Sequence, residues 1–309
     1  MDAPDRQLPT RAPYHLEATV RVLQRRPTNR VEVFDYGLYR RLFKTPAGLA
    51  LVQVENHGSV DAPDVRYAVL HGEAAPTRLE PTLRGVLGLD IDPVPLQRLA
   101  EAEKAMRPTA LALRGMRPPR FAEWFEAFGN VVPFQQVSLE AGIAIVGRFI
   151  EQFGEWLDFD GHRYYAFPAP AAVADAGIDE LRACGLSRTK ATALNRIATA
   201  IESGELSEAR IAAMPTAEAT AVLTALPGIG PWSAGLVLLR GLGRLDVFPP
   251  GDVGAMRGLN KLLRLDSASG GLARVAERFG DYRGYLYFHA LGRSLLDKGL
   301  IRPAPTPTQ

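Results

Sequence analysis

The chain has 309 residues, 47% of them hydrophobic, which is enough for a substantial core in one large domain or two to three small ones. Its formal net charge is only +2, so a surface for nucleic acid must be local, and its one cysteine, Cys184, excludes an internal disulfide and an iron–sulfur cluster with four cysteine ligands. The polar start has no signal-peptide pattern and no apolar run is long enough to span a bilayer, so we expect a soluble, cytoplasmic protein with no membrane partner.

The first third of the chain has the pattern of a mixed domain of strands and helices. Residues 1–13 are polar and are expected to be disordered, and from 14 to about 70 the signals are strand-like. Segments rich in β-branched and aromatic residues, separated by turn residues, predict strands at 39–43, 49–55 and 65–70. Apolar periodicity predicts helices at 80–87 and 95–106. We therefore expect an N-terminal α/β domain over 14–115.

The rest of the chain has helical periodicity. It predicts a helix starting at Pro170 or Ala171 and further helices at 139–153, 190–203, 215–225, 232–239, 253–263, 271–279 and 285–296. We expect a helical domain over 116–301 and a proline-rich tail over 302–309. The predicted fold class is α+β, with a mostly helical core that follows the mixed sheet and helix domain.

Two apolar helices of the second domain are separated by a glycine-rich turn, Leu-Pro-Gly-Ile-Gly at 226–230. Pro227 cannot continue a helix, and Gly228 and Gly230 on either side of Ile229 permit backbone angles closed to other residues. The pattern is typical of a helix–hairpin–helix, in which amides at the positive end of the second helix face a phosphate and hold nucleic acid without reading its sequence. The alternative is a helix–turn–helix corner inside a core.

A carboxylate follows the hairpin in a rigid loop. Asp252 ends the segment Phe-Pro-Pro-Gly-Asp, just before a predicted helix. It is either the N-cap of that helix or a catalytic carboxylate at the mouth of a cleft, and its spacing from the hairpin favours the catalytic interpretation. Asp246 is the competing carboxylate. Its neighbours Val247 and Phe248 indicate a buried structural position, so it ranks second.

Together these segments resemble the helix-hairpin-helix superfamily of DNA glycosylases, with its Gly/Pro-rich loop and catalytic aspartate. The resemblance is carried by residues 227–234 and 246–254. Within the superfamily the chain is similar to the DNA-3-methyladenine glycosylase II branch, which repairs alkylated DNA, and its β-rich start is similar to the N-terminal domain of that branch. The resemblance implies a monomeric enzyme that needs no cofactor, flips a damaged base out of double-stranded DNA and uses Asp252 to assist hydrolysis of the N-glycosidic bond.

The resemblance also implies DNA contacts beyond those of the hairpin. Gln-Gln-Val-Ser at 135–138 resembles the helix opening from which a side chain fills the gap left by the displaced nucleotide. Gln136 would be that side chain, although relatives of this branch have an apolar residue there, and Gln135 and Gln136 are alternatively polar capping residues. Arg188 and Lys190, in a later turn that is similar to one in the family, either contact phosphate or form a solvated basic turn.

An alkylated purine carries a positive charge and leaves readily, so an aromatic pocket can select it by stacking and cation–π attraction. The resemblance implies that Trp232 and Tyr282 form this pocket, with ordinary core packing as the alternative for both. Leu236 lies one turn after Trp232, where the family has a second aromatic residue. The pocket is therefore expected to accept a somewhat different set of damaged bases.

Two further properties follow from the resemblance. Glycosylases that also cut the strand have, at the position of Trp232, a lysine that forms a Schiff base, and this hairpin has no lysine, which implies a monofunctional enzyme. Hairpin carbonyls of the family can hold a monovalent cation against a DNA phosphate. Here Thr224, Leu226 and Ile229 would supply them.

Three functions are compatible with the sequence. The first, which we expect, is a monofunctional glycosylase for alkylated bases. The second is a glycosylase for oxidised or deaminated bases, which the loss of an aromatic residue at Leu236 leaves open. The third is a non-catalytic helix-hairpin-helix DNA-binding protein, against which the presence of Asp252 argues.

Overall fold

The N-terminal part of the chain is built on an antiparallel sheet. In the computed structural model, which describes residues 5–265 and 271–306, its strands are β1 (Arg6–Gln7), β2 (Val33–Asp35), β3 (Leu38–Thr45), β4 (Gly48–Asn56) and β5 (Val65–His71). Their order in the sheet is β1-β5-β4-β3-β2. The central strands β3 and β4 pair over their whole length, from Tyr39 opposite Val54 to Thr45 opposite Gly48. The three strands predicted from the sequence are the three long strands of this sheet.

Four helices accompany the sheet: α1 (Leu16–Gln24), α2 (Pro76–Val86), α3 (Pro93–Ala102) and α4 (Arg107–Ala112). The first of them corrects the expectation that 14–70 is strand-like throughout. His15 caps α1, because its Nδ1 accepts the amide of Ala18 at 3.2 Å. Leu16, Val20 and Leu23 then recur at helical spacing and are buried, so the helix has one continuous apolar face.

The expectation that residues 1–13 are disordered is wrong for the part that the structure describes, which begins at Asp5. Arg6 lies opposite Tyr67, and the Leu8 amide donates to the Val65 carbonyl at 2.8 Å. The Leu8 side chain is only 1% exposed. The N-terminal segment is ordered because it completes the edge of β5 and fills the core there. Residues 1–4 lie outside the described residues.

The second part of the chain is helical, as predicted. Its helices are α5 (Trp124–Gly129), α6 (Leu139–Phe153), α7 (Pro170–Ala174), α8 (Ile178–Ala183), α9 (Arg188–Glu202), α10 (Glu208–Ala213), α11 (Thr216–Thr224), α12 (Pro231–Gly241), α13 (Val253–Leu263), α14 (Gly271–Phe279) and α15 (Tyr285–Leu296). A two-stranded hairpin that the sequence reading missed, β6 (Trp156–Phe159) and β7 (His162–Tyr165), interrupts them. Of the predicted tail, 302–306 is described and returns to the fold, where the Ala304 amide donates to Ala112 O at 2.8 Å, and 307–309 lies outside the described residues.

A buried ionic cluster joins the sheet to the helices. Arg41, on β3, pairs with Glu32 and with Glu126 on α5, the second pair at 2.6 Å. All three side chains are buried, and the Tyr39 hydroxyl donates to Glu32 at 2.5 Å. Because each partner of Arg41 comes from a different segment, the cluster fixes the sheet against the helical part.

Candidate active site

The hairpin lies between α11 and α12, where the sequence places it. Gly228 has φ +82°, a left-handed conformation that favours glycine, whereas Gly230 has ordinary extended angles of φ −93° and ψ 179°. Ile229 is buried, and its amide donates to Leu226 O at 3.1 Å inside the turn. Among the described residues, the amides of Gly228 and Gly230 have no hydrogen-bond partner. Those two amides, and not that of Ile229, are therefore free for an external acceptor.

Asp252 is both a helix cap and a member of the site, so the two interpretations from the sequence are compatible. Its Oδ1 accepts the Ala255 amide at 2.8 Å as the N-cap of α13. Its Oδ2 accepts the indole N–H of Trp232, on the first turn of α12, at 2.9 Å. The carboxylate is thus held in place by two donors at the N-terminal end of α13.

A cavity of about 320 Å³ opens beside this carboxylate. Asp252, Trp232 and Leu236 all line it, the last two one turn apart on α12. Leu236 is almost completely buried and gives the cavity an aliphatic wall at that point. The volume and the mixed lining suit a flat heterocycle rather than a large ligand.

The residues that line the cavity do not include Tyr282, which instead packs partly buried against the hydrophobic core. It lies in the 3-10 turn Gly280–Tyr282, before α15 begins. Tyr287 and Leu291, one turn apart on α15, line the cavity instead, followed by Leu295. Their spacing of four residues was visible in the sequence and could have identified this face.

The two glutamines before α6 have different environments. Gln136 is exposed and has φ +54°, an unusual conformation for a residue other than glycine. Gln135 points the other way: its Nε2 donates to Gly228 O at 2.8 Å and to Ser233 Oγ at 2.9 Å. Gln135 thus ties this loop to the hairpin, while Gln136 stays available at the surface.

The basic residues at the start of α9 do not share one role. Lys190 Nζ donates to the carbonyls of Pro133 at 3.1 Å and Gln135 at 2.6 Å, so its ammonium group holds the loop before α6 in place. Partial burial lowers the pKa of Lys190. Arg188 is exposed and lies 3.6 Å from Asp179. Of the two, Arg188 has the side chain accessible to a phosphate.

Asp246 occupies a structural position. Thr216 Oγ1, at the start of α11, donates to Asp246 Oδ2 at 2.5 Å, and Arg244 donates to the same threonine at 2.9 Å. Asp246 is not among the residues that line the cavity. Its ranking behind Asp252 agrees with this placement.

The hairpin carbonyls that would hold a monovalent cation are main-chain atoms near the end of α11. Leu226 O accepts one hydrogen bond from Ile229, which leaves a second lone pair, and the carbonyls of Thr224 and Ile229 accept no bond from a described residue outside the helices. This donor set of neutral oxygens fits a monovalent cation. The ligand assignment stays a prediction.

Comparisons with known proteins agree with this geometry. Residues 131–277 match the family model of the HhH-GPD superfamily of base excision DNA repair proteins, and residues 5–123 match the AlkA N-terminal domain. Residues 131–277 belong to the HhH-GPD superfamily. The chain's place in that superfamily is the branch whose members carry an AlkA N-terminal domain.

Individual members of the superfamily align over different lengths. A DNA-3-methyladenine glycosylase of Bacillus subtilis is 31% identical over 57% of this chain and 58% of its own, and DNA-3-methyladenine glycosylase 2 of Escherichia coli is 32% identical over 57% and 59%. The chain thus spans less than two thirds of these two relatives. A solved 3-methyladenine DNA glycosylase from Archaeoglobus fulgidus superposes with a TM-score of 0.76 at 26% identity, over 96% of this chain and 98% of its own.

In the part of the present chain that the structure describes, no helix is both long and apolar enough to cross a membrane.

Both regions of the chain that match a family model supply residues to the cavity lining. The sequence did not predict the contribution of the N-terminal region. Arg25, at the end of α1, lies in the AlkA N-terminal match, and Arg240, on α12, lies in the superfamily match. Arg25 donates to the Tyr287 hydroxyl, and its guanidinium stacks over Phe134 at 5.5 Å. These contacts join segments distant in the chain, so no local pattern could have indicated them.

Proposed function

We propose that the protein is a monofunctional DNA glycosylase that removes alkylated bases from double-stranded DNA. The observation that carries the proposal is the fixed Asp252 carboxylate, which the Trp232 indole and a helix N-terminus hold at the wall of a cavity large enough for a base. Membership in the HhH-GPD superfamily supports it, as does likeness to three proteins named 3-methyladenine glycosylases.

Base excision requires that the base leave the stack and enter the cavity. The free amides of Gly228 and Gly230 would hold a backbone phosphate, and a cation on the carbonyls of Thr224, Leu226 and Ile229 would add positive charge there. Gln136, exposed on its loop, would fill the vacated space in the duplex. The contacts of Gln135 and Lys190 hold that loop against the hairpin. The amides that would bind the phosphate and the side chain that would fill the gap therefore keep a fixed distance from each other.

The chemistry is hydrolysis of the N-glycosidic bond. The bond between C1′ and the base nitrogen breaks and its electron pair leaves with the base, so a cationic alkylated purine departs neutral. Positive charge develops on the sugar, where the carboxylate of Asp252 stabilises it. A water oxygen then bonds to C1′ and releases a proton, for which Asp252 is the acceptor. The products are free base and an abasic site.

Trp232 serves both parts of the site. Its N–H fixes Asp252, and its ring supplies a π face on which a base can stack. Leu236 and Leu291 add aliphatic contacts to the cavity lining. The cavity therefore selects partly by stacking on one ring and partly by shape.

The monofunctional assignment rests on Trp232, which cannot form an imine. Lys298, just after α15, lines the same cavity and is the lysine that could form an imine there. The test is incubation with methylated duplex DNA, with chromatography of the released bases and gel analysis of the strands, with and without borohydride. We expect free methylated bases, intact abasic strands and no trapped complex.

The outcomes separate the alternatives. A borohydride-trapped complex that Lys298→Met abolishes would replace the monofunctional assignment with a lyase. Release of bases from duplexes that carry oxidised or deaminated bases, with no release of methylated bases, would favour a glycosylase for oxidised or deaminated bases. DNA binding without release of any base would leave a non-catalytic binding protein and overturn the proposal.

A further inference from the structure

A buried arginine lines the cavity without a carboxylate partner among the described residues. Arg240, on α12, is only 1% exposed, and its Nε, Nη1 and Nη2 have no hydrogen-bond partner among the described residues. Guanidinium groups are otherwise paired when they are buried, because each unmatched N–H loses its water without replacement. An arginine in this condition marks a place that a ligand can complete.

Aromatic rings, rather than carboxylates, surround this guanidinium. Arg240 lies 4.7 Å from the Phe121 ring centroid and 5.8 Å from that of Phe288. Burial and, after it, the charge of Arg25 together lower the pKa of Arg240 to about 10. Arg240 therefore stays charged at neutral pH.

Arg25 adds a second cation to the same wall. It ends α1 with φ +62°, a conformation unusual for a residue with a side chain, and this directs it over the Phe134 ring and to the Tyr287 hydroxyl. Arg25 is only half-buried, so it can reach a ligand that Arg240 supports from behind. No carboxylate of the described residues lies within 4 Å of either guanidinium.

The charges around the cavity are unequal. Its lining has one carboxylate, Asp252, and five cationic side chains: Arg25, Arg26, Arg30, Arg240 and Lys298. Arg26 and Arg30 are neutralised at the rim by Glu140 at 3.7 Å and Glu151 at 2.7 Å. The cations that remain without a carboxylate partner among the described residues are Lys298 and the two arginines Arg25 and Arg240, which form one wall with Tyr287.

We propose that this wall determines specificity by selecting damaged bases that carry a carbonyl oxygen on the edge farthest from the glycosidic bond, with Arg25 as the donor and Arg240 as the supporting charge. The inference rests on the proposed function, since it identifies which bases that site accepts.

The chemistry of the guanidinium gives the direction of the preference. It offers only donors, so a carbonyl oxygen completes it, whereas an exocyclic amino group brings a second set of donors against it. In a purine, the 6-substituent lies far from the glycosidic nitrogen. With the sugar at Asp252, that substituent is the group that reaches the buried wall. Guanine-type lesions carry a carbonyl at this position and adenine-type lesions an amino group.

The test compares 3-methylguanine and 3-methyladenine, which are both methylated at N3 and differ at position 6. Both are released from one preparation of methylated duplex DNA and are separated by chromatography, which gives the ratio of their kcat/KM values. We expect wild type to favour 3-methylguanine and Arg25→Met to lower the ratio about tenfold, the worth of one hydrogen bond to a charged group. Arg21→Met is the matched control, because Arg21 also lies on α1 and stacks over an aromatic ring, Phe34 at 4.9 Å, away from the cavity.

The outcomes are distinct from those of the proposed function. Continued release by Arg25→Met at the wild-type ratio would overturn the specificity proposal and leave the glycosylase intact. Absence of both bases from the wild-type reaction would overturn the proposed function itself. Should Arg25→Met not fold, Arg25→Gln, which keeps an amide donor without the charge, decides the matter: an intermediate ratio supports the proposal and the wild-type ratio contradicts it.

Discussion

At the scale of single residues, the site combines roles that sequence reading treats as alternatives. Asp252 is a helix cap and a cavity carboxylate at once, because capping uses Oδ1 and leaves Oδ2 for Trp232. Trp232 likewise packs against the core and faces the cavity. At these two positions the structural role and the proposed catalytic role are therefore compatible.

His289 gives a pH-dependent prediction at the same scale. It is fully buried on α15, and burial lowers its pKa to about 4, so the folded protein binds its proton less readily than the unfolded chain does. Stability is then full above the unfolded value near 6.5 and falls as the pH drops from there to about 4, by about 3 kcal/mol in total.

We expect His289→Asn, whose amide can still donate to the Tyr285 carbonyl, to flatten this part of the profile of unfolding free energy against pH. The exposed His71→Asn is the control and should leave the slope unchanged. An unaltered slope in His289→Asn would show that other groups govern acid unfolding.

At the scale of elements, the hairpin glycines should behave differently from one another. A Cβ on Gly230 would meet nothing within 4 Å, and its backbone angles suit any residue, so Gly230→Ala should fold like wild type. If its amide approaches a phosphate, the added methyl group should weaken binding to damaged and undamaged duplexes alike, with an effect that salt modulates.

Gly228→Ala should also lose stability, because φ is +82° and the new Cβ would lie 2.9 Å from Ala193 Cβ. The matched control is Gly177→Ala, a glycine at the N-cap of α8 with extended angles, where the new Cβ would make only ordinary contacts with Glu180, the nearest at 3.6 Å. Titrations on both duplexes at two salt concentrations measure the effect. Wild-type binding by a folded Gly230→Ala would make the hairpin a structural corner.

Much at this scale could be predicted from the sequence. The helices α12, α13 and α15 and the strands β3 to β5 lie where periodicity placed them, because each buries one face with a regular spacing. Helix α1 was missed because the β-branched residues Thr19, Val20 and Val22 give it the composition of a strand. The hairpin of β6 and β7 was missed because each strand has only four residues. The placement of Tyr282 in the pocket is not supported, since the end of a 3-10 turn and the start of α15 decide which aromatic residue faces inward. Arg25 and Arg240 meet only through the tertiary fold.

At the scale of the whole molecule, the N-terminal part is a working component of the site. It supplies Arg25 to the cavity, and the buried cluster of Arg41, Glu32 and Glu126 fixes it against α5. The cavity would lose Arg25 from its wall if the N-terminal part separated from α5.

We expect Arg41→Met to lower the free energy of unfolding by about 3 kcal/mol, because the buried carboxylates of Glu32 and Glu126 would lose the cation that pairs with both. Glu123→Gln is the control. Burial raises the pKa of Glu123, so removing its charge should be neutral or stabilising. Urea unfolding of both variants measures the difference in their free energies of unfolding. Equal stabilities would mean that the buried cluster does not stabilise the contact between the N-terminal part and α5.

The central claim is that Asp252 performs the chemistry, and one paired substitution tests it most directly. Asp252→Asn preserves size and a capping oxygen but removes the charge, while Asp246→Asn does the same at a nearby carboxylate outside the cavity. We expect single-turnover release of methylated base to fall at least about 100-fold in Asp252→Asn, with little change in affinity for abasic-site DNA, and to stay near wild type in Asp246→Asn. Release by Asp252→Asn within about threefold of wild type, far below the loss expected for a removed catalytic charge, would contradict the account.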